Sequence, residues 1–159
     1  MATADYFLKL DGIEGESTDA KHKGEIQIES FSFSESQSGT GSGGGSGKVR
    51  MGDFHFVIQA NKASPRLFLS CASGEPIKNA VLTCRKAGGS QQEYLKITMS
   101  DALVSAFQLN GSSHAAIIPV EQFSLSFAKI EYEYKPQQFN GLLGPPVKTG
   151  WSLKENRPV

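Results

Sequence analysis

Gly39, Gly41 and Gly44 stand at the spacing Gly-x-Gly-x-x-Gly, and Gly47-Lys48 closes the same tract with the pair that ends a phosphate-binding loop. Both patterns set backbone N–H groups around a phosphate at the mouth of a helix. The neighbouring residues fail both tests. A Walker-type loop needs Gly, four residues and then Gly-Lys-Ser/Thr, whereas here Ser42 takes the first place and Val49 the last. The dinucleotide spacing arises by chance in a run, 38 to 47, built only of serine, threonine and glycine. The "KVRMGDFHF" that follows reads as strand, so no helix N-terminus faces a pyrophosphate. The three histidines are scattered: His22 in a charged turn, His55 on the strand face opposite Phe54 and Phe56, His114 in a Gly-Ser loop. They read as surface or hydrogen-bonded structural groups. Cys71 and Cys84 have no second Cys or His at metal-ligand spacing and no glycine elbow beside them, and read as small buried hydrophobes. The expectation is therefore no catalytic residue, no cofactor and no metal. Asn110-Gly111-Ser112 fits a glycosylation sequon by letter but reads as a hairpin turn.

Composition narrows the classes further. Sixteen Lys and Arg balance sixteen Asp and Glu, so no net field draws the chain to nucleic acid or to an anionic membrane. The opening "MATADYFLKLDG" has neither a basic n-region nor an apolar h-region, and no apolar run reaches a membrane span. A chain made and folded in a cytoplasm is expected, and 159 residues fit one domain over 1–159.

The elements that must position these residues are mostly strands. "DYFLKL" alternates with period two. "GEIQIESFSFSE" puts Ile26 and Ile28 on one phase and Phe31 and Phe33 on the other, which requires one extra residue near Glu29-Ser30. "EQFSLSFAKIEYEYK" slips in the same way near Ala128-Lys129. Long strands bent in the middle suit a sheet that curls, so the expected fold is mainly β, a curled two-sheet β-barrel with one short helix. Shorter strands are expected in "DFHFVIQA", "NAVLTCRKA", "EYLKITM" and "ALVSAFQLN". The helix falls in "ASPRLFLSCASGEP", with Ser64 as N-cap, Pro65 in the first turn, Gly74 and Pro76 as stops, and a Leu67/Phe68/Cys71 face against the barrel. The Gly/Ser tract is too close to the N-terminus to link two domains, because residues 1 to 37 hold only about two strands. It reads as a long loop, 38–49, inside one domain, of a length that is usually functional or disordered.

Taken in order, "YFLKLDGIEGES", "HKGEIQIESFSF", the Gly/Ser loop, "NKASPRLFLSCASGEPI", "RKAGGSQQEYLKITMSDALVS", "FSLSFAKIEYEYKPQ" and "GWSLKEN" resemble the haemolysin-coregulated protein family, Hcp, of bacterial type VI secretion. The most specific pieces are "RKAGG" at 85–89 with "EYL" at 93–95, and "GES" at 15–17. The resemblance covers nearly the whole chain and rests on number and order of motifs, none of them catalytic. It implies a fold similar to phage tail-tube proteins, and a subunit that forms a homo-hexameric ring. It also implies stacking of rings into a hollow tube inside a contractile sheath. Spike protein, sheath, baseplate and small effector proteins are the implied partners, with no nucleic acid and no membrane insertion. Export through the type VI apparatus rather than the general secretory route follows, so the chain would start in the cytoplasm and end outside the cell or in a target cell. Within the loop, Gly41, Gly43, Gly44, Gly45, Gly47 and Lys48 are the expected contacts between rings. With Phe31 and Phe33 inward, Ser30, Ser32 and Ser34 take the other face, either an ordinary solvated surface or the lumen wall that meets cargo. Any killing activity would belong to a separate passenger. A monomeric β-barrel that holds a small ligand among its aromatic side chains is the alternative.

Overall fold

The computed structural model describes residues 4–37, 48–87, 91–115 and 117–159. Along them run β1 (Ala4–Leu10), β2 (Ile26–Ile28), β3 (Ser30–Ser32), β4 (Glu35–Gln37), β5 (Val49–Met51) and β6 (Phe54–Gln59). After these come α1 (Ser64–Ser73), β7 (Pro76–Lys86), β8 (Glu93–Asn110), β9 (Val120–Ser126), β10 (Lys129–Tyr134), β11 (Val147–Ser152) and β12 (Arg157–Pro158). Ten strands form one antiparallel sheet in the order β12-β11-β10-β8-β7-β1-β2, which branches from β8 through β9 and β6 to β3; β4 and β5 make a separate ribbon.

Two bends curl this sheet. At Glu29 the strand changes partners: Ile28 lies opposite Tyr6 of β1, while Ser30 lies opposite Val57 of β6. The extra residue inferred from the phase change at Glu29-Ser30 is this one, and its N–H donates to the Val57 carbonyl at 2.9 Å. The second bend is in β8. Its first half pairs with β7 and β10, and from Leu103 onward it pairs with β9. Asp101 takes a φ of 51° there, and the ladder shifts register between Val104 and Ala106. "EYLKITM" and "ALVSAFQLN" are therefore one strand rather than two. The bend leaves the strand whole because β7 stays paired across it, from Cys84 opposite Leu95 to Pro76 opposite Leu103. The slip near Ala128-Lys129 falls where the periodicity puts it, but as a break between two strands rather than a bend within one: β9 pairs with β6, and β10 pairs with β11. The fold is mainly β, curled, with one helix among the described residues; the sheet does not close as one continuous ladder, since β2 and β3 meet through the chain itself.

Rings fill the interior. Phe54, Phe56 and Phe123 are each at most 2 % exposed. Phe56 lies 5.0 Å from Phe54 and 5.1 Å from Phe123, centroid to centroid. Phe31 and Phe33 join this stack from the side, half-buried, at 5.7 Å and 5.4 Å from Phe54. Each such side chain contributes about 2–3 kcal/mol by leaving water, and the offset pairs add about 1 kcal/mol more. A core occupied in this way is at odds with a ligand-holding interior.

Helix α1 lies on β8 through Ala63, Leu67 and Ser70, the i, i+4, i+7 stripe. Its N-cap is Ala63 rather than Ser64. The Ser64 hydroxyl is used otherwise: it accepts from the Asn61 N–H at 2.8 Å and donates to Glu121 at 2.6 Å. Gly74, at φ 69°, closes the helix by donating to the Ser70 carbonyl. Phe68 does not join the buried face. It is 61 % exposed, its ring edge-on to Phe107, because a Leu67-centred contact turns the next residue about 100° away.

Candidate functional site

The outward face of β3, β6, β9 and β8 is the surface on which the serines stand. Its register aligns two polar rows across four strands. One row runs Ser32, His55, Ser124, Ala106; the other runs Ser30, Val57, Gln122, Gln108. Between them, pointing the opposite way, lies a row made wholly of phenylalanine: Phe31, Phe56, Phe123 and Phe107. Strand alternation alone produces this arrangement, apolar rings behind and small polar groups in front. The rows bound a shallow groove of about 580 Å³. Neither row carries a lysine, arginine or carboxylate.

Ser30 and Ser32 are exposed on this face, as is His55. Ser34 is exposed too but lies beyond the last pair of the ladder, Ser32 with His55, and leads into the β4–β5 ribbon. Its carbonyl accepts from the Gly52 N–H at 2.9 Å. The three serines are thus two on the ladder and one at its end. The bulge in β8 is pinned by Ser105, whose hydroxyl donates to Asp53 at 2.6 Å and lies 2.7 Å from the Ser124 hydroxyl. Carboxylate and hydroxyl meet directly, with no imidazole between them, which anchors a bulge rather than activating a nucleophile. His55, Gln122 and Gln108 were readable as members of the face only through their phase relative to neighbouring phenylalanines.

Gly41, Gly43, Gly44, Gly45 and Gly47 lie outside the described residues. Lys48 directly precedes β5, and Val49, taken from sequence as the end of the loop, is already paired with Gln37 in the ribbon.

A separate cluster of ionisable groups lies on the other side of β1, under the strap of residues 11–25. His22, expected in a charged turn, is 6 % exposed, flat against Phe7 at 4.5 Å. Arg85 is 3 % exposed; it lies 4.9 Å above the same ring and grips Asp19 through both terminal nitrogens, at 2.9 Å and 2.5 Å. A longer contact reaches Asp5 at 3.4 Å. The Arg85 guanidinium beside Asp19 holds that carboxyl well below the usual range, and the Asp19 hydrogen bond raises Arg85 in return. Spacing along the chain gave no sign of this cluster, since its members are 66 residues apart. Cys84 is fully buried, and burial pushes its thiol up to about 12, which removes it as a nucleophile. Cys71, read as buried, is half-buried on the helix. Among the described residues no group of three or more His, Cys, Asp or Glu is placed to hold a metal ion, and no helix is long and apolar enough to cross a membrane.

This curled sheet, branched at a bent β8 and braced by α1, is the fold of solved Hcp proteins. The crystal structure of Hcp1 from Salmonella typhimurium superposes with a TM-score of 0.86 at 37 % identity, covering 99 % of this chain and 100 % of that one. A type VI secretion system effector from Yersinia pestis gives a TM-score of 0.77 at 32 % identity, over 93 % and 99 % of the two chains. The family described as "Type VI secretion system effector, Hcp" matches residues 7–134. Protein hcp1 of Pseudomonas aeruginosa is 45 % identical over 157 residues, 96 % of each chain. The chain belongs to the Hcp family of type VI secretion.

Proposed function

We propose that this chain is a structural tube subunit: six copies close into a ring, rings stack into the inner tube of the secretion apparatus, and the lumen carries small effector proteins. The observation that supports this reading most directly is the outward face of β3, β6, β9 and β8. A wall along which proteins must slide should be polar enough to stay wet, free of charges that would hold one passenger, and stiff. Ser30, Ser32, Gln122 and Gln108 meet the first two needs, and the stacked phenylalanines behind them meet the third. Residues 1–159 act as one domain, with 38–48 as the loop that contacts the neighbouring ring through its glycines and Lys48. Spike, sheath and baseplate are the outer partners. The protein waits in the cytoplasm and leaves through the apparatus, and no catalysis is assigned to it.

The test begins with mass. Light scattering on the purified chain, with negative-stain images of the same peak, should give a hexamer and annular particles; a monomer at micromolar concentration would refute the ring. On the hexamer, Ser32→Trp should abolish effector co-purification and leave the ring intact, because the added ring stands into the lumen. Unchanged effector recovery would remove Ser32 from the cargo face. Deleting residues 40–47 should leave rings that no longer stack into tubes in electron micrographs, and tubes of wild-type length would refute the assembly role of the loop.

A further inference from the structure

We propose that the strap of residues 11–25 is a pH-dependent latch, closed while His22 carries a proton on both ring nitrogens and loosened when one of them is lost. The ring sits between two carboxylates, with Nδ1 at 3.0 Å from Glu25 Oε2 and Nε2 at 2.7 Å from Glu93 Oε1. An ionised carboxylate only accepts hydrogen bonds, and a neutral imidazole has one N–H and one lone pair. A neutral ring therefore satisfies one glutamate and turns its lone pair on the other. Only the imidazolium donates to both, and in doing so it ties the strap to β8, 71 residues away.

The surrounding charges have other partners. Arg85, from β7, also faces the Phe7 ring but is engaged by Asp19 of the strap and Asp5 of β1. From the strap itself come Glu25 and the exposed Lys21 and Lys23, and from β8 comes Glu93. Lys86, next along β7, is bonded to Gln137. The two carboxylates that touch the imidazole thus have the His22 proton as their shared counter-charge. A group whose charged form gains partners on closing stabilises the closed state at low pH, and that stability is lost as pH rises. The closed-to-open ratio falls only over the pH range in which the open strap has given up the ring proton and the closed strap still holds it.

The strap offers its own reporters. The Gly15 N–H donates to the Gly24 carbonyl at 2.7 Å, the Ser17 N–H to Glu25 at 3.0 Å and the Gly24 N–H to Ser17 at 2.8 Å. Amide exchange of these three groups in the full chain, corrected for intrinsic rates, should lose protection as the pH is raised from mildly acidic to mildly alkaline. Amides of β7 should stay protected, and ring 15N shifts should show both His22 nitrogens protonated at the acid end. Glu93→Gln is the discriminating variant. Its amide can donate to a bare Nε2, so the strap should stay closed and its pH dependence should disappear. A flat profile in the wild-type chain, a single neutral tautomer throughout, or a Glu93→Gln profile identical to wild type would overturn the latch.

Discussion

Gly15 marks the point where the strap crosses the start of β2, and adding one methyl group there tests how tightly the two are fitted. A Cβ at this position would lie 2.6 Å from the Glu25 carbonyl oxygen and 2.8 Å from both the Glu25 carbonyl carbon and the Ile26 Cα. These are backbone atoms and cannot rotate aside. Since non-bonded carbons prefer about 3.5 Å, the strap must retreat by about 1 Å. That movement stretches the three hydrogen bonds Gly15 to Gly24, Ser17 to Glu25 and Gly24 to Ser17. Their net worth is about 1 kcal/mol each, so Gly15→Ala should cost about 3 kcal/mol if all three are lost. For a domain of this size that lowers Tm by about 6–12 °C. Gly12→Ala is the control: Gly12 holds φ at +82°, but nothing lies within 4 Å of its would-be Cβ. It carries only backbone strain, about 1 kcal/mol. Scanning calorimetry of both variants decides the matter. A Gly15→Ala Tm no lower than that of Gly12→Ala would refute the close strap contact.

Phe56→Ala removes a fully buried ring held between Phe54 and Phe123 and should destabilise the chain by about 4 kcal/mol in urea unfolding; a loss under about 2 kcal/mol would mean that the stack does not brace the serine face. The Asp19 carboxyl is held low by Arg85, so its contribution is present above the ordinary carboxylate range and lost as pH falls through its folded-state value. Below about pH 4 the wild-type chain should therefore lose strap stability with falling pH, while Asp19→Asn should be weaker at neutral pH and flatter in acid. Acid unfolding curves that run parallel for the two would refute the Asp19–Arg85 clamp.

Local alternation determined a good part of this protein. The phase changes at Glu29-Ser30 and near Ala128-Lys129 located two strand breaks, and Ser64 to Gly74 located the helix, because periodicity and chain termini of helices are properties of neighbours in sequence. The same alternation put Ser30 and Ser32 on the face opposite Phe31. Other features needed the third dimension. That β8 runs unbroken through Asp101 depends on ladder partners in β7 and β9, not on its own residues. Which side of α1 faces inward depended on where β8 lay beneath it, so Phe68 turned outward although its spacing fits an apolar face. Pairings such as His22 with Glu93 and Arg85 with Asp19 bring together residues that share no motif, and only the folding of β1, β7 and β8 side by side could make them contacts. Sequence fixes which face of a strand a side chain takes, through a period of two; the tertiary structure decides what that face meets.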